Sequence, residues 1–319
     1  MIPLLSPHQA QRPTAIALGS FDGLHRGHRR VIAAVSHAEV GIPTVVSFWP
    51  HPREVLFGET RLRLDLPREK LALLEPLGIR QLVLVPFDRA LALLSPAEFV
   101  SQVLVEGLDT RRIAVGHNFR FGAGRRGDAG DLARLGAAHG IEVIVCPTLE
   151  DASGRLSSSR IRAALAAGRI EEARALLERP YRFSGQVVKG RGLGRQLGWP
   201  TANLRVDGRK FLPMEGVYAA WARCGEEEGG AGGRPLPAVM NLGPQPTIDP
   251  DSPSAVEVHL LEGGGDLLGR WLTVEPRHLL RRQQRFAGPA ELAAQIGADA
   301  RRARQLLRAE AKADGEAAP

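Results

Sequence analysis

In the first half of the chain, short β-branched runs alternate with stretches of helical spacing, and this alternation constrains the fold more than any other feature. TAIALGS (residues 14–20), TVVSFW (44–49), QLVLVPF (81–87), RRIAVGH (111–117) and IEVIVCP (141–147) read as buried strands. Between them, RRVIAAVSHAEV (29–40), REKLALLEPLG (68–78), PAEFVSQVLVEGL (96–108) and DLARLGAAHG (131–140) read as helices. Strands separated by helices pair in parallel, because a parallel return needs a crossover of helix length. The expected N-terminal fold is α/β, a doubly wound, Rossmann-like parallel sheet. Ligands of such sheets bind outside the carboxyl ends of the strands, often against helix N-termini.

The pattern changes near Pro180. SSRIRAALAAGRIEEARALLERP (158–180) is helical and closes the first domain. RFSGQVVKG, GVYAAWARC, LPAVMNLG, SAVEVHLL and RWLTVEP follow as strands, with Gly/Pro-rich turns and no helix between them. That is the pattern of an antiparallel β-barrel or sandwich. PAELAAQIGADARRARQLLRAE (289–310) is a terminal amphipathic helix. The expected division is residues 1–180 and 181–310, with 311–319 as a frayed tail.

Composition narrows the function. Two cysteines, Cys146 and Cys224, are too few for a disulfide scaffold or a zinc site of their own and suit a reducing compartment. No charged leader precedes an apolar stretch, and no apolar run approaches the ~20 residues that span a bilayer. A cytoplasmic protein without a membrane partner is expected. The net charge is +7, but the 42 basic residues include only four lysines, and the arginines are scattered without aromatic interleaving. Nucleic acid is therefore not an expected partner.

GSFDGLHRGH (19–28) follows the first strand and leads into a helix. Glycines let backbone approach phosphate closely, and a helix N-terminus supplies free N–H groups. Gly19, Phe21, Asp22 and Gly23 form the turn. His25 and His28, three residues apart, fall on one helical face. There the imidazoles could donate to phosphate oxygens as charge builds in a transition state. A zinc-binding pair or ordinary surface histidines are the competing readings, and zinc lacks its further ligands nearby. GHNFRFGAGRRGD (116–128) and SGRLSSSRIR (153–162) follow later strands. Serines opening a helix are often only N-caps. Arg155, Arg160 and Arg162 around them make the cluster a candidate triphosphate clamp.

In the second half, VVKGRGLGRQLGWPTANL (187–204) joins a glycine-rich loop to PTAN. Gly190 and Gly194, with Arg191 and Arg195 interspersed, could wrap phosphates. Thr201 and Asn203 offer neutral oxygens suited to Mg²⁺. Taken alone, an ordinary turn explains this segment as well. Glu257 lies in the alternating strand SAVEVHLL, either on a solvent face or as a base for a primary alcohol.

Taken in order, GSFDGLHRGH, VVSFWPHPREVLF, GHNFRFG and RLSSSRIR resemble the nucleotidyltransferase module of prokaryotic bifunctional riboflavin kinase/FAD synthetases. The segments GRGLGRQLGWPTAN, GVYA, NLGPQPT and EVH resemble the riboflavin kinase module of the same enzymes. The resemblance implies ATP and Mg²⁺ at two sites, with riboflavin, FMN and FAD as substrates or products. It implies His25 and His28 on the ATP phosphates, Asn118 near them, and Ser158, Ser159 and Arg162 on the leaving pyrophosphate. It implies Mg-ATP held by Thr201 and Asn203, and Glu257 activating the ribityl 5′-hydroxyl. Leu268, Gln283 and Gln245 depart from the family pattern near the flavin side of the kinase. Two alternatives remain at this point: a module that has drifted in substrate or lost activity, and a basic regulator that binds nucleic acid in response to flavin.

Overall fold

The structure is a computed structural model that describes residues 2–37, 39–60, 62–190, 194, 198–226, 228, 233–243, 255–263 and 265–313. The chain folds as two compact units, Met1–Ser158 and Ser159–Pro319.

The strands of the first unit are β1 (Leu4–Leu5), β2 (Thr14–Leu18), β3 (Ile42–Trp49), β4 (Gln81–Pro86), β5 (Thr110–Gly116), β6 (Arg120–Phe121), β7 (Gly127–Asp128), β8 (Glu142–Cys146), β9 (Glu150–Asp151) and β10 (Gly154–Arg155). Its helices are α1 (Arg26–Ala33), α2 (Pro52–Phe57), α3 (Pro67–Leu74), α4 (Arg89–Leu93), α5 (Pro96–Glu98), a π-helix over Phe99–Glu106, and α6 (Ala129–Ala137). The main sheet has the order β1-β4-β3-β2-β5-β8, and every pair is parallel. The expected doubly wound sheet is therefore present.

Alternation along the strands accounts for the two layers. Ala15, Ala17, Val45, Leu82 and Ala114 face a core filled by Val31 and Ile32 of α1 and Leu71 and Leu74 of α3. Ile16, Leu18, Val46, Val83 and Val115 face the other way, against Phe99, Val100 and Leu104 of the π-helix and Leu132 of α6. Both faces are covered, as parallel sheets require. The chain passes from β2 outward through β3 and β4, then returns to β5 on the other side of β2. The strand order thus reverses between β2 and β5, which is where ligands of such sheets sit.

Three elements differ from expectation. Helix α1 ends at Ala33 rather than near Val40, and Ser36 Oγ donates back to Ile32 O at 3.0 Å just beyond its end. The segment read as one helix over 96–108 becomes π-helical from Phe99. The helical stretch before Pro180 breaks into α7 (Ser158–Ala166) and α8 (Ile170–Leu177). The break is at Gly168, with φ +72, where a Cβ would stand 2.7 Å from Met214 Cε.

The second unit is a closed barrel of β11 (Phe183–Val188), β12 (Ala202–Val206), β13 (Gly216–Gly225), β14 (Leu236–Gly243), β15 (Ala255–Leu260) and β16 (Trp271–Arg281). Its order is β11-β12-β15-β14-β13-β16, antiparallel throughout. Five of these strands are legible in the sequence. The sixth, β12, hides in the PTAN segment and completes the barrel between β11 and β15. Helix α9 (Pro289–Ala313) lays Ala300, Ala303 and Leu307 on the outer barrel face formed by Val217, Ala219 and Val239. It extends three residues into the stretch expected to fray; residues 314–319 lie outside the described residues.

Candidate active sites

The loop leaving β2 carries the first site. Phe21 and Leu24 both adopt φ +43 and Gly23 φ +89, so two side-chain-bearing residues hold a left-handed backbone. Such strain persists only where surrounding interactions over-determine it, and here they do. Asp22 Oδ1 accepts from Leu64 N at 2.9 Å and Asp65 N at 3.2 Å. Asp22 O accepts from Ser158 Oγ at 2.7 Å, and Lys70 Nζ donates to Ser20 O at 2.7 Å. The turn is thereby tied to the 62–70 segment and to Ser158.

His25 is the N-cap of α1, and its side chain makes no capping bond. Its ring stacks on that of His28, with centroids 3.7 Å apart and planes at 22°. Phe21 packs edge-on against His28 at 5.5 Å. Gly27 leaves room for this stack, since a Cβ there would lie 3.1 Å from His25 Cε1. Nδ1 of both rings is buried without a hydrogen-bond partner among the described residues. Burial lowers His25 to about 4, helped by the cations Arg29 and Arg155. Burial also pulls His28 well below the ordinary imidazole value, with His25, Lys70 and Arg155 adding to it. Both rings are neutral at neutral pH. Burial disfavours a charge on either ring, and an anion placed against them would offset that cost.

Asn118 lies just after β5, on the other side of the reversal point. With its carboxamide oxygen turned toward Arg155, it accepts from Nη2 at 2.6 Å and Nη1 at 3.2 Å. Arg155 also contributes to the field at both histidines. Gly19, Phe21, Asp22, Gly23, His25, His28, Asn118, Arg155 and Ser158 therefore share the first unit. Ser159 and Arg162 belong to the second, where the Arg162 guanidinium lies 5.8 Å from the centre of the Phe211 ring. Among the described residues no group of three or more His, Cys, Asp or Glu is arranged to hold a metal ion.

The barrel carries the second site. Asn203 of β12 pairs with Glu257 of β15, and Glu257 pairs with Asn241 of β14. Directly opposed residues in adjacent strands share a face, so the three form one polar row. By this register the strands that carry Asn203 and Glu257 are neighbours in the barrel. The flanking residues Val256, Val258, Leu204, Met240 and Leu242 are buried on the opposite face, inside the barrel. The row lies on the face that also carries Val239, against which α9 packs.

Two glycines of the preceding segment pack closely against PTAN. A Cβ on Gly190 would fall 2.0 Å from Asn203 Nδ2. One on Gly194 would fall 2.3 Å from Trp199 O and 3.2 Å from Thr201 Oγ1. Trp199 N donates to Gly194 O at 2.7 Å. Only glycine allows that approach. Arg195 and Gln245 lie outside the described residues.

Comparison with known proteins adds two matches of family extent. The FAD synthetase family matches residues 7–160 and the riboflavin kinase family residues 177–307. A bifunctional riboflavin kinase/FMN adenylyltransferase of Pseudomonas fluorescens is 40% identical over 92% of this chain and 93% of its own. The protein of that name from Escherichia coli K12 is 39% identical over 93% and 94%.

The chain belongs to the bifunctional riboflavin kinase/FMN adenylyltransferase family.

The Bacillus subtilis member is 33% identical over 93% of this chain. A crystal structure from Streptococcus pneumoniae, described as a macrolide-efflux protein, superimposes with a TM-score of 0.80 at 27% identity over 95% of this chain and 98% of its own.

Two residues of this family member are invisible to sequence reasoning. Lys70 is buried beneath the histidine loop, and that burial lowers its pKa against the pull of Asp22 and Asp65. Arg63 is 5% exposed, bonded to Glu54 Oε2 at 2.8 Å, with its guanidinium 5.2 Å from the centre of the Trp49 ring. Both come from a segment with no motif of its own, brought to the site only by folding. Gln283, a departure from the family pattern, donates to Asn241 Oδ1 at 2.7 Å, a contact the sequence does not signal.

Proposed function

We propose that the N-terminal unit transfers the adenylyl group of ATP to FMN and that the barrel unit phosphorylates riboflavin to FMN. In the first reaction an FMN phosphate oxygen bonds to the α-phosphorus. The bond from the α-phosphorus to the bridging oxygen breaks, and pyrophosphate leaves. The observation that carries this reading is the stacked pair His25 and His28, buried at the reversal point of the sheet with Nδ1 of each unsatisfied among the described residues. A triphosphate there would meet the α1 N-terminus and both imidazoles. Ser158 and Arg155 of this unit are assigned to its phosphates, and Asn118 orients Arg155. Because the phosphate attacks directly, the residues act by positioning and charge stabilisation.

In the second reaction the ribityl 5′-oxygen bonds to the γ-phosphorus, and ADP leaves with the bridging oxygen. Glu257 takes the hydroxyl proton. The Thr201 hydroxyl and Asn203 carboxamide, packed under Gly190 and Gly194, are hard neutral oxygen donors that fit Mg²⁺. When bound, Mg²⁺ neutralises phosphate charge. Arg195 is assigned to the same phosphates. No described helix is long and apolar enough to cross a membrane, and both cysteines are free, which supports a cytoplasmic setting. The test is incubation of the pure protein with riboflavin and Mg-ATP, followed by chromatography of the flavins. FMN should accumulate first and FAD follow; folded protein that yields neither overturns the reading.

A further inference from the structure

One short segment holds the histidine turn on both sides of Phe21. Leu64 N and Asp65 N donate to Asp22 Oδ1 at 2.9 and 3.2 Å, and Lys70 Nζ donates to Ser20 O at 2.7 Å. Phe21, between these two anchors in the chain, has φ +43. Its ring folds back over Gly19, where a Cβ would fall 3.1 Å from Phe21 Cζ, and meets His28 edge-on at 5.5 Å. A residue with a side chain stays in that backbone region only while its surroundings hold it there. Lys70 is 7% exposed and is itself fixed in the first turn of α3. Its N–H donates to Leu66 O at 3.0 Å, and Leu66 N donates to Glu69 Oε2 at 2.9 Å. Burial works against a charge on Lys70, and the carboxylates Asp22 and Asp65 favour it. The Lys70 side chain also lines a pocket shared with Ser20, Asp22, Asp65 and Ser158, so there is open space beside it.

We infer that Lys70 is a positioning residue of the adenylyl transfer, whose hold on Ser20 O keeps Phe21 against His28 and the two imidazoles in place for the triphosphate. The inference rests on the adenylylation reading of the first unit. Without that donor the peptide between Ser20 and Phe21 is free to turn, and Phe21 can leave the left-handed region. Its ring then draws away from His28, and the imidazole stack loses the wall it packs on. A shift of about 1 Å in a group that meets the reacting phosphates is enough to cost roughly a hundredfold in rate. Substrates are still held through their other contacts, so the loss falls on kcat more than on KM. The role needs an N–H donor at one point and no covalent link to α3. A free amine in the vacated space can therefore replace the side chain.

The test uses Lys70→Met and Lys70→Ala in the full chain, with adenylylation of supplied FMN as the measured reaction. Lys70→Met keeps the length and loses the donor. Its kcat should fall on the order of ten- to a hundredfold, while KM for ATP and for FMN moves less than about threefold. Riboflavin phosphorylation, in the other unit, should be unchanged. Lys70→Ala opens space for a small amine, and ethylammonium should restore adenylylation about fivefold or more, with saturation. Tetramethylammonium, which matches the charge and has no N–H, should restore nothing. Hydrogen exchange should quicken over residues 19–28 and keep wild-type protection in β2, β3, β4 and β5. The inference is overturned if Lys70→Met keeps kcat within about threefold of wild type. It is equally overturned if ethylammonium does no better than tetramethylammonium, or if protection is lost across the whole sheet, which would make Lys70 a residue of the fold alone. A wild-type chain that phosphorylates riboflavin but never converts FMN to FAD would instead sink the adenylylation reading itself.

Discussion

Burial lowers His25 to about 4 and His28 well below the ordinary imidazole value, so both rings are neutral in the free protein at neutral pH. A bound triphosphate brings negative charge to rings whose depression comes first from burial and then from neighbouring cations, and it must raise both values. Between the free and bound values, ATP binding takes up protons, and affinity falls as pH rises through the bound-state value. Calorimetry at pH 6.5 in buffers of different ionisation enthalpy should show a buffer-dependent heat that His28→Ala loses. Equal heats in all buffers would remove the imidazoles from the phosphates. His28→Ala should also cut FAD formation roughly a hundredfold, as for a lost transition-state donor, and leave FMN formation nearly unchanged. For Glu257, the isosteric Glu257→Gln keeps hydrogen bonding but cannot take the proton. Riboflavin phosphorylation should drop about a hundredfold while supplied FMN is still adenylylated; a near-normal kinase rate would place the base elsewhere. The histidine pair was legible because HxGH fixes its spacing within one turn. Lys70, Arg63 and the Gln283–Asn241 contact were not. Lys70 meets Ser20 across 50 positions of chain, and Gln283 meets Leu242 and Asn241 across 41 and 42, separations that leave no local pattern.

At the scale of elements, the strands of the first unit were legible because burial on both faces makes continuous apolar runs. Strand β12 was not, because ANLRV offers only one buried side chain, Leu204, and follows a proline turn. What α8, β16 and α9 do together was equally hidden. Glu310 of α9 accepts from Arg174 of α8 and from Arg277 Nη1 of β16 at 3.2 Å. His278 Nε2 lies 3.6 Å from its other oxygen, and His278 Nδ1 lies 2.9 Å from Glu171 of α8. Glu275 stands 3.6 Å from Arg277. The nearby Glu310 carboxylate, with Glu171 adding to it, raises His278 above its ordinary 6.5, and the same proximity of His278, with Arg277 and Arg174 adding to it, lowers Glu310 below 4.5. The histidine contribution to stability is therefore complete below pH 6.5 and disappears as pH climbs through the raised value. The glutamate contribution is present above pH 4.5 and lost as pH falls through the lowered one. Thermal unfolding of the barrel unit should show its best stability between these limits and a decline above pH 6.5. Glu310→Gln should flatten that decline and cost on the order of 2 kcal/mol at about pH 6, as for a lost charged hydrogen bond. A decline that persists in Glu310→Gln would assign the pH dependence to other groups.

For the molecule as a whole, the change of pattern at Pro180 is a change from helix to strand, and it marks where secondary structure switches. The compact units divide earlier, between Ser158 and Ser159, because α7 and α8 go with the barrel. Met214 N donates to Leu165 O at 2.9 Å, and α8 packs on β16. Ile161, Leu165, Ile170, Leu176 and Leu177 are all buried in these two helices. Each such side chain contributes about 1.5–3 kcal/mol when fully buried, and even discounted for a compact unfolded state their sum is comparable to the roughly 5–15 kcal/mol that holds a typical domain together. A fragment of residues 182–319 would lose that burial and the Arg174–Glu310 and Glu171–His278 pairs as well. A fragment of residues 159–319 keeps them all. We expect the longer fragment to unfold cooperatively and to phosphorylate riboflavin without making FAD, since it lacks His25 and His28. The shorter one should melt at least about 10 °C lower or fail to fold, by the usual ratio of a few degrees per kcal/mol for a domain of this size. Equal melting temperatures and equal kinase rates would show that the barrel and α9 suffice, and that the kinase begins where the sequence pattern changes.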